Sequence, residues 1–203
     1  MTSTTPANRA VRLQLRSRLA LATHAAELLH NKEEALQRES TRLRAHAART
    51  EAAWRERLAD ARIWLLRARA LGASSELARL HDQSCLATVD IAWQSSMGVT
   101  YPGTVRCEPT PTPKLTTTSA LAPTSTTFRA ALDAAAQHAA ASTALQRVER
   151  ELASTRRRRR ALEQRLQPRL QAQLHRLDLT LDERDRETAV STRLATRHQE
   201  RSR

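Results

Sequence analysis

The sequence predicts a mostly α protein: a long antiparallel two-helix coiled coil with a small central β-hairpin. Three observations carry that prediction. All three glycines (Gly72, Gly98, Gly103) and five of the seven prolines fall between residues 72 and 123. The stretch Arg9–Leu71 contains neither residue, and Phe128–Arg203 contains only Pro168. Glycine costs a helix about 1 kcal/mol and proline about 3 relative to alanine, so each arm is free to run as one helix on the order of 90–110 Å long. Aromatic residues make up only 2% of the chain, too few for a thick globular core but enough for a seam filled by Leu and Ala.

The elements follow in order. Residues 1–8 are polar and read as a flexible tail without the apolar core of a signal peptide. Residues 9–71 form the first helical arm. One seam position of a strict heptad falls at Leu15, Ala22, Leu29, Leu36, Leu43, Thr50, Arg57, Trp64 and Leu71. The other falls at Leu19, Ala26, Glu33, Ser40, Ala47, Trp54, Ala61 and Ala68. Thirteen of these 17 are apolar, where the 40% overall content would give about seven, so the repeat specifies a left-handed supercoil. Glu33, Ser40, Thr50 and Arg57 interrupt it.

Residues 72–127 form a central hairpin and loop region. Cys85, Ala87, Val89, Ile91 and Trp93 alternate with their neighbours at a period of two, which predicts a strand. Ser95–Gly98 offers a turn, and Val99–Cys107 a second strand interrupted by Pro102-Gly103. Pro109–Thr127 is rich in Pro, Thr and Ser and reads as a loop. An isolated hairpin is marginal in water, so this one is expected to lean on the arms or on another protein chain. Residues 128–203 form the second arm. Its seam, Leu145, Val148, Leu152, Thr155, Arg159, Leu162, Leu166, Leu170, Leu174, Leu177 and Leu181, contains consecutive steps of four. Such a stutter locally unwinds a supercoil, and Pro168 inside it is expected to kink the helix. Two arms on one chain most simply fold back on each other.

The net charge of +13 is shared by the arms: 14 Lys+Arg against 7 Asp+Glu over residues 1–71, and 17 against 10 over 129–203. Interspersed acids read first as a solvated surface, with a secondary preference for acidic partners. The run Arg156–Arg160 covers more than one helical turn, so its members cannot all face one partner, and Arg159 lands on the seam. A solvated run, contact with acidic loops and contact with nucleic acid all remain open for it.

With three glycines there is no Walker A loop and no dinucleotide fingerprint, so no cofactor or nucleotide is expected. His81 and Cys85 have a metal-capable spacing, but two ligands do not make a site. Asp182, Glu183, Asp185 and Glu187 are interleaved with Arg184 and Arg186 and read as a self-paired helical face. The chain is expected to be a non-catalytic protein. Two cysteines and the lack of any membrane-spanning run point to the cytosol.

The residues resemble the D subunits of the V/A-type rotary ATPases. Thr155-Arg-Arg-Arg-Arg-Arg-Ala-Leu-Glu163 is similar to the family's Thr-x-Arg-Arg-Val-Asn-Ala-Leu-Glu. Leu166-Gln-Pro168-Arg-Leu170 is similar to its Ile-Pro-x-Leu, and Leu181-Asp-Glu-Arg-Asp-Arg-Glu187 to its Leu-x-Glu-Arg-Glu-x-Glu. Leu28-Leu29-His-Asn-Lys32-Glu-Glu-Ala-Leu36 and Met97-Gly98-Val99 with Pro102 also find counterparts, in the same order. The resemblance implies a central rotor shaft that transmits torque between a nucleotide-binding hexamer and a membrane ring moving protons or sodium. It implies as partners the catalytic and non-catalytic subunits of that hexamer, the small F subunit of the stalk and a membrane-ring adaptor, with no nucleic acid. The chain would then be peripheral, on the cytoplasmic face of a bacterial membrane. The candidate partner-facing or bend residues are Lys32, Met97, Gly98, Arg156, Arg157, Leu162, Glu163 and Pro168. A second reading, from a different class, is a basic coiled-coil adaptor for nucleic acid or an acidic scaffold.

Overall fold

The computed structural model describes residues 9–82, 87–108 and 119–201. The predicted tail at residues 1–8, the Cys85 end of the first strand, the side chains of the His81–Cys85 pair and loop residues 109–118 lie outside that description. The elements run α1 (Arg9–Ala70), α2 (Ser74–Asp82), β1 (Thr88–Ser96), β2 (Val99–Glu108), α3 (Leu121–Ala161), a π-helical segment (Leu162–Leu166) and α4 (Gln167–Arg201). A long N-terminal helix, a long C-terminal helical arm and an antiparallel two-stranded hairpin between them are the predicted fold class. No helix among the described residues is long and apolar enough to cross a membrane.

α1 runs unbroken for 62 residues, as its freedom from Gly and Pro allows. All eight of its buried residues, Ala22, Ala26, Leu36, Ser40, Leu43, Ala47, Ala61 and Ala68, lie on the two predicted seam positions. Of the remaining seam positions, only Arg57 and Leu71 are exposed. The helix ends where Gly72 can take φ +83. There the Gly72 N–H donates to the Arg69 carbonyl (3.0 Å) and the Ala73 N–H to the Ala68 carbonyl (3.1 Å), the paired bonds of a Schellman cap. A Cβ on Gly72 would meet nothing within 4 Å, so the backbone angle alone explains the glycine.

The chain divides into two compact units, Met1–Glu33 with Ser154–Arg203, and Glu34–Ala153. In the first, Arg9 approaches Asp185 (3.8 Å), Arg12 approaches Asp178 (3.7 Å), and Gln167 donates to the Ala22 carbonyl (3.4 Å). Partner numbers fall as α1 numbers rise, which is antiparallel pairing. In the second unit the same order holds: Arg44 pairs with Glu149, Trp54 stacks on His138 at 5.5 Å, and Thr124 donates to the Trp64 carbonyl. Its core joins Leu36 and Leu43 of α1 to Ala144, Val148 and Leu152 of α3. A smaller cluster of Ala68, Ala73, Ala120 and Leu121 lies beside the Schellman turn.

Two local features depart from the sequence reading. Ser74–Asp82 is a short helix in a region read only as turn and hairpin. The second arm starts at Leu121, inside the stretch read as a loop up to Thr127. Pro123 sits in the first turn of α3, where a backbone N–H has no intrahelical acceptor, so its missing donor costs nothing there. Thr124 and Thr127 turn their hydroxyls onto the carbonyls of Ala120 and Pro123, so their polarity is absorbed within the helix.

In the hairpin, Ser96 pairs with Val99 across a two-residue turn, with Met97 at φ 50 and Gly98 at φ 80. Two positive φ values in succession match the right-handed twist of the flanking strands. Ile91 pairs with Val105 but Trp93 with Pro102, so β2 carries one extra residue opposite Ala92. That bulge holds Gly103, where a Cβ would lie 2.7 Å from the Gln94 side chain.

Candidate functional site

Two of the residues that interrupt the predicted seam are each other's partners. Glu33 lies on the seam face of α1 and Arg159 on that of α3, both in the first unit. The Arg159 Nε donates to one Glu33 oxygen at 2.9 Å and the Arg156 Nε to the other at 2.8 Å. Arg159 Nη1 also reaches both oxygens of Glu163 at 2.9 Å, one turn further along. The result is a four-membered, charge-balanced clasp: two carboxylates and two guanidiniums. The Glu33 side chain keeps only 15% of its exposure and Arg159 only 24%, so solvent screens the pairs incompletely. Desolvation pushes the Glu33 carboxyl upward, but the hydrogen bonds from Arg156 and Arg159 outweigh it and hold the group below its ordinary value. Arg159 is shifted upward, by Glu163 first and Glu33 second.

The clasp adjoins the π-helical segment. At its end the Gln167 N–H donates to the Leu162 carbonyl, five residues back, so this turn is one residue wider than an α turn. The predicted stutter therefore appears as a π turn, and Pro168 follows directly, at the start of α4. The extra residue also moves the seam. Leu166, expected inside, is 40% exposed; Gln167 is half-buried in its place, and Leu170 is buried again at 7%. Thr23, Ala26, Glu27, His30 and Asn31 face Arg159, Glu163 and Gln167 across an open groove of about 630 Å³.

Of the residues singled out from the sequence, this unit holds six. Arg156 and Glu163 join the clasp, and Leu162 is half-buried within the π segment. Lys32 is half-buried and engaged with a partner, while Arg157 and Pro168 are exposed. Met97 and Gly98 belong to the other unit, at the hairpin turn, with Met97 53% exposed.

The second unit shows how the hairpin leans on the helices. Tyr101, the only tyrosine, is 4% exposed and packs into the Leu36–Leu43–Val148–Leu152 core. Its hydroxyl donates to Glu39 Oε1 at 2.6 Å. Arg42 holds that carboxylate down against the opposing pull of desolvation, with the Tyr101 bond adding to the effect. Burial pushes the Tyr101 phenol up, and the Glu39 carboxylate adds to the shift. Arg147 donates to the Thr100 carbonyl at 3.0 Å and lies 5.0 Å over the Trp93 ring. Sequence reading missed Tyr101, Glu39 and Glu33. A lone tyrosine in a strand of an aromatic-poor chain was the available signal for the first.

The carboxyl shifts set an acid limb. Glu33 and Glu39 are depressed, so their contribution is present above the ordinary value of 4.5 and is lost as pH falls toward their folded values. Melting temperature is expected to fall below about pH 4.5, and less steeply in Glu33→Gln, which cannot titrate there. Identical acid limbs in the two proteins would refute the assignment.

Comparison with curated proteins gives no match. A family model for the D subunit of ATP synthase matches residues 12–197, which takes in both helical arms, the clasp and the hairpin. The chain therefore belongs to the ATP synthase D-subunit family, that of the V/A-type ATPases.

Proposed function

We propose that this rotary ATPase component is the non-catalytic central shaft of its complex, carrying torque between the nucleotide-binding hexamer and the membrane ring. The observation that carries the reading is the antiparallel pairing of α1 with the second helical arm within each unit, with every buried α1 residue on the seam positions. A hydrogen-bonded helix distributes bending and twist along its length, and the clasp resists sliding of one helix past the other within its unit. The partners are the catalytic and non-catalytic subunits of the hexamer, the small F subunit of the stalk and the membrane-ring adaptor. The shaft works at the cytoplasmic face of the membrane and binds no nucleotide itself.

Reconstitution of the whole ATPase in vesicles tests this. Complexes lacking the chain are expected to hydrolyse ATP without pumping ions, and adding it back to restore coupling. Pro168→Ala supplies the missing backbone donor beside the π turn, and is expected to stabilise the helix by up to about 3 kcal/mol while lowering the ratio of ions pumped to ATP hydrolysed. Full coupling without the chain would refute the shaft. Full coupling with Pro168→Ala would remove the π–proline element from the mechanism.

A further inference from the structure

The π turn seats the wrong one of two neighbours. In an uninterrupted α-helix, Leu166 would lie within about 20° of Arg159 on the seam face, and Gln167 about 80° away. The widened turn takes in one extra residue, so Gln167 arrives on that face and Leu166 is pushed off it. Leu166 is accordingly 40% exposed, while Gln167 is half-buried with only a long 3.4 Å bond to the Ala22 carbonyl. Solvation favours the opposite order, leucine inside and glutamine out. Room for the leucine exists, because the open groove beside Gln167 is floored by Ala26 and Thr23.

Pro168 pulls the other way. In a regular α turn its ring would press on the Gln164 carbonyl, four residues back, and a widened turn relieves that contact. The two sides of the π turn are also held unequally. Upstream, the clasp binds Arg156 and Arg159 to Glu33 at 2.8 and 2.9 Å. Downstream, α4 meets α1 through ion pairs of 3.7 and 3.8 Å, and Arg12 Nε and Asp178 Oδ1 are buried without a hydrogen-bond partner. Leu170, Leu174, Leu177 and Leu181 lie within an arc of about 60°, so α4 carries one apolar stripe that turns as a body.

We propose that the π turn is a register switch with a second seating. There the turn closes to an α turn, Leu166 enters the groove beside Ala26, and Gln167 moves out to solvent. Removing the extra residue turns α4 by about 100° about its own axis relative to the clasp. Proline holds the first seating and leucine favours the second, so the two compete at one place in the arm. Under the shaft reading, on which only this use of the switch rests, the arm takes up twist in one step just beyond the clasp.

Disulfide cross-linking tests the switch in the full chain with Cys85 and Cys107 replaced by serine. Ala26→Cys with Gln167→Cys reports the present seating, and with Leu166→Cys the second. Arg165→Cys, off the seam face in both, is the control. The Leu166 pair is expected to cross-link within about tenfold of the Gln167 rate and at least about tenfold faster than the control. Adding Pro168→Ala should raise the ratio of Leu166 to Gln167 cross-linking about threefold or more. A Leu166 rate no faster than the control, with and without Pro168→Ala, overturns the switch.

Amide hydrogen exchange needs no added cysteine and keeps the question decidable where a cysteine pair fails to fold. Gln167→Leu seats an apolar side chain in the present register, and should slow exchange at residues 163–167 about tenfold or more. Exchange as fast as wild type in that variant overturns the switch even where cross-links form. Both measurements use the chain by itself, so their failure leaves the shaft standing. Full coupling in vesicles lacking the chain would refute the shaft and leave the switch.

Discussion

Replacing Tyr101 with alanine is expected to destabilise the unit formed by residues 34–153 by about 3–5 kcal/mol, the range for removing a large buried aromatic. The side chain is 4% exposed and touches the cluster that joins α1 to α3, so its loss leaves a cavity between three elements. It is also the main apolar anchor of a hairpin whose first strand is exposed over nearly its whole length. Tyr101→Phe keeps the ring and removes only the bond to Glu39, so it should cost about 1.5–3 kcal/mol, as for hydrogen bonds to charged groups. Denaturant unfolding of both variants separates packing from hydrogen bonding. Limited proteolysis should cut β1 and β2 of the alanine variant well before wild type. Equal stability of Tyr101→Ala and wild type would show that the hairpin rests on the helices by other contacts.

The register of α1 was open to reading because it is local: Leu and Ala recur every three or four residues whatever they meet. Every buried α1 residue accordingly lies on the predicted seam. The hairpin turn was legible for a similar reason, since Met97-Gly98 between two alternating runs leaves few other conformations. The Glu33–Arg159 pairing was not legible. Each residue read alone as a fault in its seam, and matching them needs the stagger between arms 126 residues apart in sequence. The π turn was half legible. Steps of four through Leu166, Leu170 and Leu174 announced a stutter, but whether a helix takes it up by unwinding, kinking or widening one turn depends on packing. The early start of α3 was hidden by composition, because Pro and Thr serve loops and first helical turns equally well.

Glu33 and Arg159 offer the sharpest test of what the clasp contributes. Glu33→Leu alone should destabilise the helix pair by about 1–3 kcal/mol, because Arg156 loses this carboxylate and Arg159 keeps only Glu163. Partial exposure puts the cost below the 3–5 kcal/mol typical of a fully buried pair broken from one side. Glu33→Leu with Arg159→Leu restores an apolar seam on both helices, and should be neutral or more stable than wild type by about 1 kcal/mol or more. The two substitutions would thus be strongly non-additive in a double-mutant cycle. A more stable double variant that nonetheless couples poorly in vesicles would mean that the clasp serves register rather than stability. Leucine seams tolerate sliding by a heptad, whereas a bidentate Glu33–Arg159–Glu163 arrangement accepts one stagger only. Additive costs from the two single changes would instead show that the two residues do not act as a pair.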